Sequence, residues 1–156
     1  MKKLFALLLI SVLALALVSC GGSSSSSFTL DTDALVNELH GASLFVDSLT
    51  PIQETALSKV VGVSTEYVKS FTYEMGTGVT GEELGVITCE SEANAKKVLE
   101  QVKAHQEDYI KQYESYAPDA IPRMEGAVLE QKGAYVIYVA AENNDAAHKI
   151  VDKYLG

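Results

Sequence analysis

Histidine is scarce in this 156-residue sequence, which has three of them. His40, His105 and His148 fall in three different predicted helices, and none has a second histidine three or four residues away. Because metal ligands on one helix recur at that spacing, the sequence predicts no metal site. We expect His105 to be partly exposed or hydrogen-bonded rather than a ligand.

Basic side chains are also few, with 12 Lys and Arg against 21 Asp and Glu, a net charge of −9. A negative surface repels phosphate backbones and anionic lipid headgroups. We therefore expect no nucleic-acid partner, and we expect any contact with a membrane to depend on acyl chains rather than on a basic patch.

The motifs that carry catalysis are missing as well. The chain contains no G-x-S-x-G elbow, no H-E-x-x-H, no Walker loop and no paired C-x-x-C. Carboxylates are so numerous that no acid–base pair is favoured. The sequence therefore predicts no catalytic residue and no cofactor.

The N-terminus has the pattern of an exported protein. Lys2 and Lys3 precede the apolar run Leu4–Val18, which is shorter than the roughly 20 residues that span a bilayer. The following Leu-Val-Ser-Cys resembles the bacterial lipoprotein signal, in which the cysteine thiol receives diacylglycerol. We predict that residues 1–19 are a signal peptide, cut between Ser19 and Cys20, and that Cys20 is lipidated.

Residues 20–27, the lipidated cysteine and a Gly/Ser stretch, are predicted to be a flexible tether with a reach of about 15 Å. Residues 28–156 have the length of one domain. Once Cys20 carries lipid, Cys89 has no cysteine to pair with. Cys89 closes an apolar run, so we interpret it as a small buried hydrophobe rather than a reactive thiol.

Four helices are predicted from caps and apolar spacing. Asp31 caps the first, Thr32–His40, and Thr50 caps a second in which Pro51 is the first helical residue and Gly62 ends the helix. Ser91 caps a long helix over 92–117, and Asn143 or Asn144 caps the last. The long helix has a stripe of side chains predicted to pack in the core: Ala95, Val98, Val102, Tyr109, Tyr113 and Tyr116.

Alternating and apolar segments predict two hairpins, one from Tyr67–Met75 with Leu84–Cys89 and one from 127–131 with 135–141. The order strand-strand-helix thus occurs twice. We expect an α+β fold with a four-stranded, mostly antiparallel sheet, two helices packed on one face and two short N-terminal helices beside them.

Gly76-Thr77-Gly78-Val79-Thr80-Gly81 matches the glycine fingerprint of dinucleotide-binding proteins. That fingerprint must open a helix, whereas this segment leads into a predicted strand. We interpret it as a hairpin connection whose tip could form a contact surface. Gly76, Thr77, Gly78, Glu82 and Glu83 are the candidate binding residues, with exposed, solubilising charge as the simpler interpretation of the two glutamates.

Three segments together resemble a known family: Glu82–Ile87, Tyr116-Ala117-Pro118 and Gly133–Ile137. They are similar to the Gram-positive lipoproteins grouped as domain of unknown function family 4358, over roughly Val46 to Leu155. The resemblance implies a secreted, lipid-anchored single domain and no assigned activity.

From these features we predict a lipid-anchored protein on the outer face of the cytoplasmic membrane of a Gram-positive bacterium, held through diacylglycerol on Cys20. Its expected role is non-catalytic binding of an envelope protein, a peptide or a wall fragment. A small surface hydrolase or transferase that uses carboxylates is the alternative. A solute-binding accessory of a transporter is less favoured, because it usually needs two lobes.

Overall fold

The computed structural model describes residues 28–156. The predicted signal peptide, the lipidation site Cys20 and the Gly/Ser segment up to residue 27 lie outside the described residues. Within the described range, five strands form one sheet and five helices pack against it or beside it. None of the helices in 28–156 combines the length and the hydropathy needed to cross a membrane.

The sheet is antiparallel throughout, with the order β1-β2-β3-β5-β4. Its strands are β1 (Thr50–Pro51), β2 (Val68–Met75), β3 (Glu83–Cys89), β4 (Val128–Lys132) and β5 (Tyr135–Ala140). Both predicted hairpins are confirmed, and β3 and β5 join them at the centre, where Val86 pairs with Ile137. The predicted α+β class is confirmed, but the prediction of four strands is wrong.

The fifth strand, β1, occupies residues that the sequence assigned to a helix cap. Thr50 pairs with Met75 of β2, and the backbone N–H of Ile52 donates to the carbonyl of Tyr73 at 2.9 Å. Pro51 is tolerated here because an edge strand has one side without ladder hydrogen bonds. The helix α2 (Glu54–Lys59) therefore begins later than predicted.

The other predicted helices are confirmed at their N-termini. They are α1 (Thr32–Gly41), α3 (Glu92–Tyr116) and α5 (Asn144–Leu155), and a short α4 (Ile121–Glu125) follows α3. The side chains of Asp31, Ser91 and Asn143 each accept a backbone N–H three residues ahead, at 3.0 to 3.1 Å. Each cap satisfies a donor that the first helical turn leaves free.

The helices cover both faces of the sheet, so the prediction that two helices pack on one face is wrong. Along β5 the buried side chains alternate, with Ile137 and Val139 in one core and Val136, Tyr138 and Ala140 in the other. The first core includes α1 and α5, and the second includes α2 and α3. The fold is a three-layer sandwich with the sheet in the middle.

The two ends of the sheet have different surroundings. At the end where β3 finishes, the N–H of Cys89 donates to the carbonyl of Ala134 in the β4–β5 turn, at 2.7 Å. Phe28, the first described residue, packs edge-on against the Tyr135 ring with centroids 5.8 Å apart. We call the end of the sheet that carries Phe28 and the β4–β5 turn the anchor end, after the predicted lipid anchor. The β2–β3 connection lies at the opposite end, separated by the length of β3, about 20 Å at roughly 3.3 Å per residue.

Candidate functional site

The β2–β3 connection, Gly76–Gly81, turns back into an antiparallel strand, as the sequence predicted, and opens no helix. Gly78 and Gly81 have φ of +87° and +69°, a region that side chains with a Cβ disfavour. Gly78 and Gly81 are therefore explained by the backbone of the connection, and the pyrophosphate site of the dinucleotide fingerprint has no helix N-terminus to form on.

Asp47 holds this connection from a neighbouring loop. Its Oδ2 accepts hydrogen bonds from the Thr77 backbone N–H at 2.8 Å, the Thr77 hydroxyl at 2.7 Å and the Thr80 hydroxyl at 3.1 Å. These bonds lower the pKa of Asp47, and the bond from the Thr77 hydroxyl has the largest effect. The carboxylate therefore stays ionised to a lower pH than an ordinary aspartate.

Two tyrosines at the end of α3 fix the connection from the other side. The hydroxyls of Tyr113 and Tyr116 both donate to the carbonyl of Gly78. Tyr113 is buried and packs with Ala120 and Met124 in a small third core, and burial raises its pKa to about 12. The prediction that these tyrosines are core residues is confirmed for Tyr113 and wrong for Tyr116, which is 63% exposed.

Glu82 follows the connection directly, and the prediction that it is exposed is wrong, since it is 1% exposed. Its carboxylate accepts the backbone N–H groups of Val46 at 3.1 Å, Asp47 at 2.8 Å and Glu142 at 2.9 Å. A single buried side chain thus joins the loop before β1 and the loop after β5 to the start of β3. The negative charge is compensated by three backbone dipoles, the arrangement a buried carboxylate requires.

Glu83 is also buried rather than exposed, on the α3 side of the sheet. One of its oxygens accepts the Tyr73 hydroxyl at 2.6 Å, and both lie 3.0 Å from Nε2 of His105. His105 is therefore hydrogen-bonded, as predicted, but it is buried rather than partly exposed. Burial, followed by the charge of Glu83, raises the pKa of Tyr73 far above its ordinary value.

Tyr138 contributes a buried hydroxyl next to this pair. Among the described residues its oxygen has no hydrogen-bond partner. Burial raises the pKa of the Tyr138 hydroxyl, and the charges of Glu83 and Tyr109 raise it further. Glu83, Tyr73 and His105 thus form an internal polar network, and the Tyr138 hydroxyl lies beside it.

A groove of about 470 Å³ between α2 and α3 is lined in part by His105 and Tyr109. A histidine and a tyrosine in a groove are groups that an enzyme site could use. Glu83, the carboxylate that could act with His105, is not among its lining residues. No group of three or more His, Cys, Asp or Glu side chains in residues 28–156 is placed to hold a metal ion.

Cys89 lies buried in the α3-side core and is a free thiol. Burial raises its pKa to about 11, so the thiolate is not populated at neutral pH. The interpretation of Cys89 as a small core hydrophobe is confirmed.

The exposed apolar side chains converge on the β2–β3 connection. In the described chain the large hydrophobic residues that are exposed are Val46, Val60, Val79 and Tyr116, and all but Val60 belong to this end of the molecule. We define the tip as Val46, the connection 76–81 and Tyr116. It combines an apolar surface with a backbone fixed by Asp47, Glu82 and two tyrosine hydroxyls.

The structure thus divides the predicted binding residues into two groups. Gly76, Thr77 and Gly78 lie in the tip, where a contact surface stays a prediction, while Glu82 and Glu83 are buried supports beneath it. Val46, Asp47 and Val79 were not among the predicted binding residues. For Val79 the local signal is an apolar side chain inside a turn of small residues, whereas Val46 and Asp47 reach the connection only through the fold.

A model of the family described as Domain of unknown function (DUF4358) matches residues 43–141. The match contains the whole tip, Glu82, Glu83 and His105, and it ends before α5, whereas the resemblance in the sequence extended to Leu155. No curated protein and no solved structure matches the chain.

Proposed function

Because this chain belongs to the DUF4358 family, whose description names no activity, we propose a function from the geometry of the tip. The protein is a lipid-anchored lipoprotein on the outer face of the bacterial cytoplasmic membrane that binds a protein partner through the tip without catalysing a reaction. The observation that carries the proposal is the exposure of Val46, Val79 and Tyr116 on one rigidly supported end.

The preorganisation of the tip favours binding. An apolar residue on a freely moving loop loses conformational entropy when it is immobilised, which weakens association. Thr77, two residues before Val79, and Thr80, directly after it, bond to Asp47, and the carbonyl of Gly78 accepts two tyrosine hydroxyls. The exposed valine is therefore already held in place before a partner arrives.

The position of the anchor favours the same assignment. Phe28 packs at the anchor end, against Tyr135. A tether ending at Phe28 with a reach of about 15 Å brings that end toward the lipid headgroups. The tip then points away from the membrane, where a partner in the envelope can reach it.

The hydrolase alternative has weaker support. The buried carboxylates Glu82 and Glu83 use their oxygens for backbone N–H groups, a tyrosine and a histidine. A general acid or base must reach a proton of the substrate within hydrogen-bond distance. Both glutamates are 1% exposed, so a substrate cannot reach them without rearrangement of the core.

Replacement of Cys20 by alanine is expected to abolish incorporation of radiolabelled or alkyne-tagged fatty acid and to leave the precursor unprocessed or release the protein from the membrane fraction. The physical reason is that only the Cys20 thiol is proposed to form the thioether to diacylglycerol. Cys89→Ala is the matched control, because Cys89 is buried in the folded domain and should leave labelling unchanged. Undiminished labelling of Cys20→Ala would contradict the proposed anchor.

A further inference from the structure

We propose that the partner inserts a lysine or arginine side chain into an acidic recess beside the tip, while its neighbouring apolar side chains contact Val79 and Tyr116. This inference rests on the proposed binding function and names the chemistry of the partner. The recess has a volume of about 220 Å³ and is lined by Asp119, Pro122, Arg123, Glu142 and Asn144.

The recess adjoins the tip through two connections. Asp119 follows Tyr116 by three residues, in the 3-10 turn Pro118–Ala120, which the non-helical Ala117 separates from α3. Glu142 donates its backbone N–H to Glu82, the same carboxylate that holds Val46 and Asp47. The recess is therefore joined to the tip at Tyr116 by a short segment of chain and at Val46 by the Glu82 carboxylate.

The charges in the recess leave one carboxylate without a cation. Arg123 forms an ion pair with Glu142. Asp119 is exposed, and the described residues provide it with no ion pair or hydrogen bond to its side chain. A cationic side chain in the recess would pair with Asp119, since Glu142 already has Arg123 as its partner. Charge complementarity of this kind sets partner choice and association rate.

The net negative charge of the protein disfavours two other occupants of the recess, a second copy of the chain and anionic phospholipid. All 21 acidic residues and 10 of the 12 basic residues lie in the described range, because residues 1–27 contain Lys2 and Lys3 and no acid. A second copy of the chain would bring the same negative surface to the tip, and like charges repel. Anionic phospholipid is disfavoured for the same reason. A cation-bearing protein segment is attracted.

The test is photo-cross-linking on intact cells that make the full-length protein with a benzophenone amino acid in place of Val79. We expect a discrete adduct with another protein. Asp119→Lys, or about 0.5 M salt, should reduce its yield at least roughly fivefold, because the contact to the recess is charged and screened by ions. Benzophenone in place of Val60, which is exposed away from the tip, is the positional control.

Glu90→Lys is the matched charge control, since Glu90 is exposed at the anchor end and the change in net charge is the same. It should leave the adduct unchanged. An adduct that survives both Asp119→Lys and high salt overturns the cationic recess but leaves the binding function standing. An adduct with a second copy, adducts with lipid alone, or a protein adduct from Val60 as strong as that from Val79 overturns the proposed occupant. The absence of any adduct from Val79 overturns the binding function itself.

Discussion

Replacement of Glu82 by alanine is expected to destabilise the domain by about 3–5 kcal/mol, a large part of the roughly 5–15 kcal/mol that stabilises a typical domain. The carboxylate is 1% exposed and accepts the N–H groups of Val46, Asp47 and Glu142. Its removal leaves these donors unsatisfied at a site where water enters poorly, and it disconnects two loops from β3. Denaturant unfolding followed by circular dichroism measures the loss.

Glu82→Gln should cost less than Glu82→Ala, because the amide keeps the shape of the side chain and one acceptor oxygen. Glu90→Ala is the control, since a substitution of an exposed acid usually changes stability by no more than about 0.5 kcal/mol. If Glu82→Ala unfolds at the same denaturant concentration as Glu90→Ala, the role assigned to Glu82 as the support of the tip is wrong.

The Glu83–His105 pair is expected to show strong coupling in a double-mutant cycle. Glu83→Leu alone leaves a histidine and the Tyr73 hydroxyl without their acceptor, and His105→Leu alone leaves a buried carboxylate with one donor. Each single change should lower the free energy of unfolding by about 3–5 kcal/mol. The double leucine variant should lose at least about 2 kcal/mol less than the sum of the two single losses, because it leaves no uncompensated charge.

The adjacent Tyr138 is the control for this cycle. Tyr138→Phe removes a buried hydroxyl that has no partner in the described structure, so its free energy of unfolding should be unchanged or slightly increased. Additive losses for Glu83→Leu and His105→Leu would show that the two side chains do not act as a pair.

The strands and helix caps could be predicted from the sequence because their signals are local. Asp31, Ser91 and Asn143 cap the helices that they were predicted to cap, although the sequence left Asn144 as an alternative to Asn143. The layer arrangement could also have been predicted. The strand Tyr135–Ala140 is apolar at every position, which is typical of a strand buried on both faces rather than on one.

The Thr50-Pro51 segment shows why a local signal can mislead. A threonine followed by proline fits a helix N-terminus and fits an edge strand equally well. Pairing with β2 decides between the helix and the strand. Met75 and Glu74 of β2 pair with Thr50 and Pro51, although they lie 23 or more positions away in the chain. No local pattern contains that partner.

The burial of Glu82 and Glu83 could not be predicted for the same reason. The partners of Glu82 lie 36 residues before it and 60 residues after it, and His105 lies 22 residues after Glu83. Adjacent glutamates next to a turn are exposed in most proteins. Only the fold, which brings three loops to one end of the sheet, provides their hydrogen-bond donors.

We propose that a lipid anchor at one end of the domain holds the preformed tip away from the membrane. The most direct measurement places a fluorophore on Val79→Cys or on Glu90→Cys of the lipidated protein in vesicles that contain headgroup-quencher lipid. The label is selective, because Cys89 is buried with a pKa of about 11. We expect stronger quenching at position 90, at the anchor end, than at position 79, at the tip. Equal quenching, or stronger quenching at position 79, would contradict it.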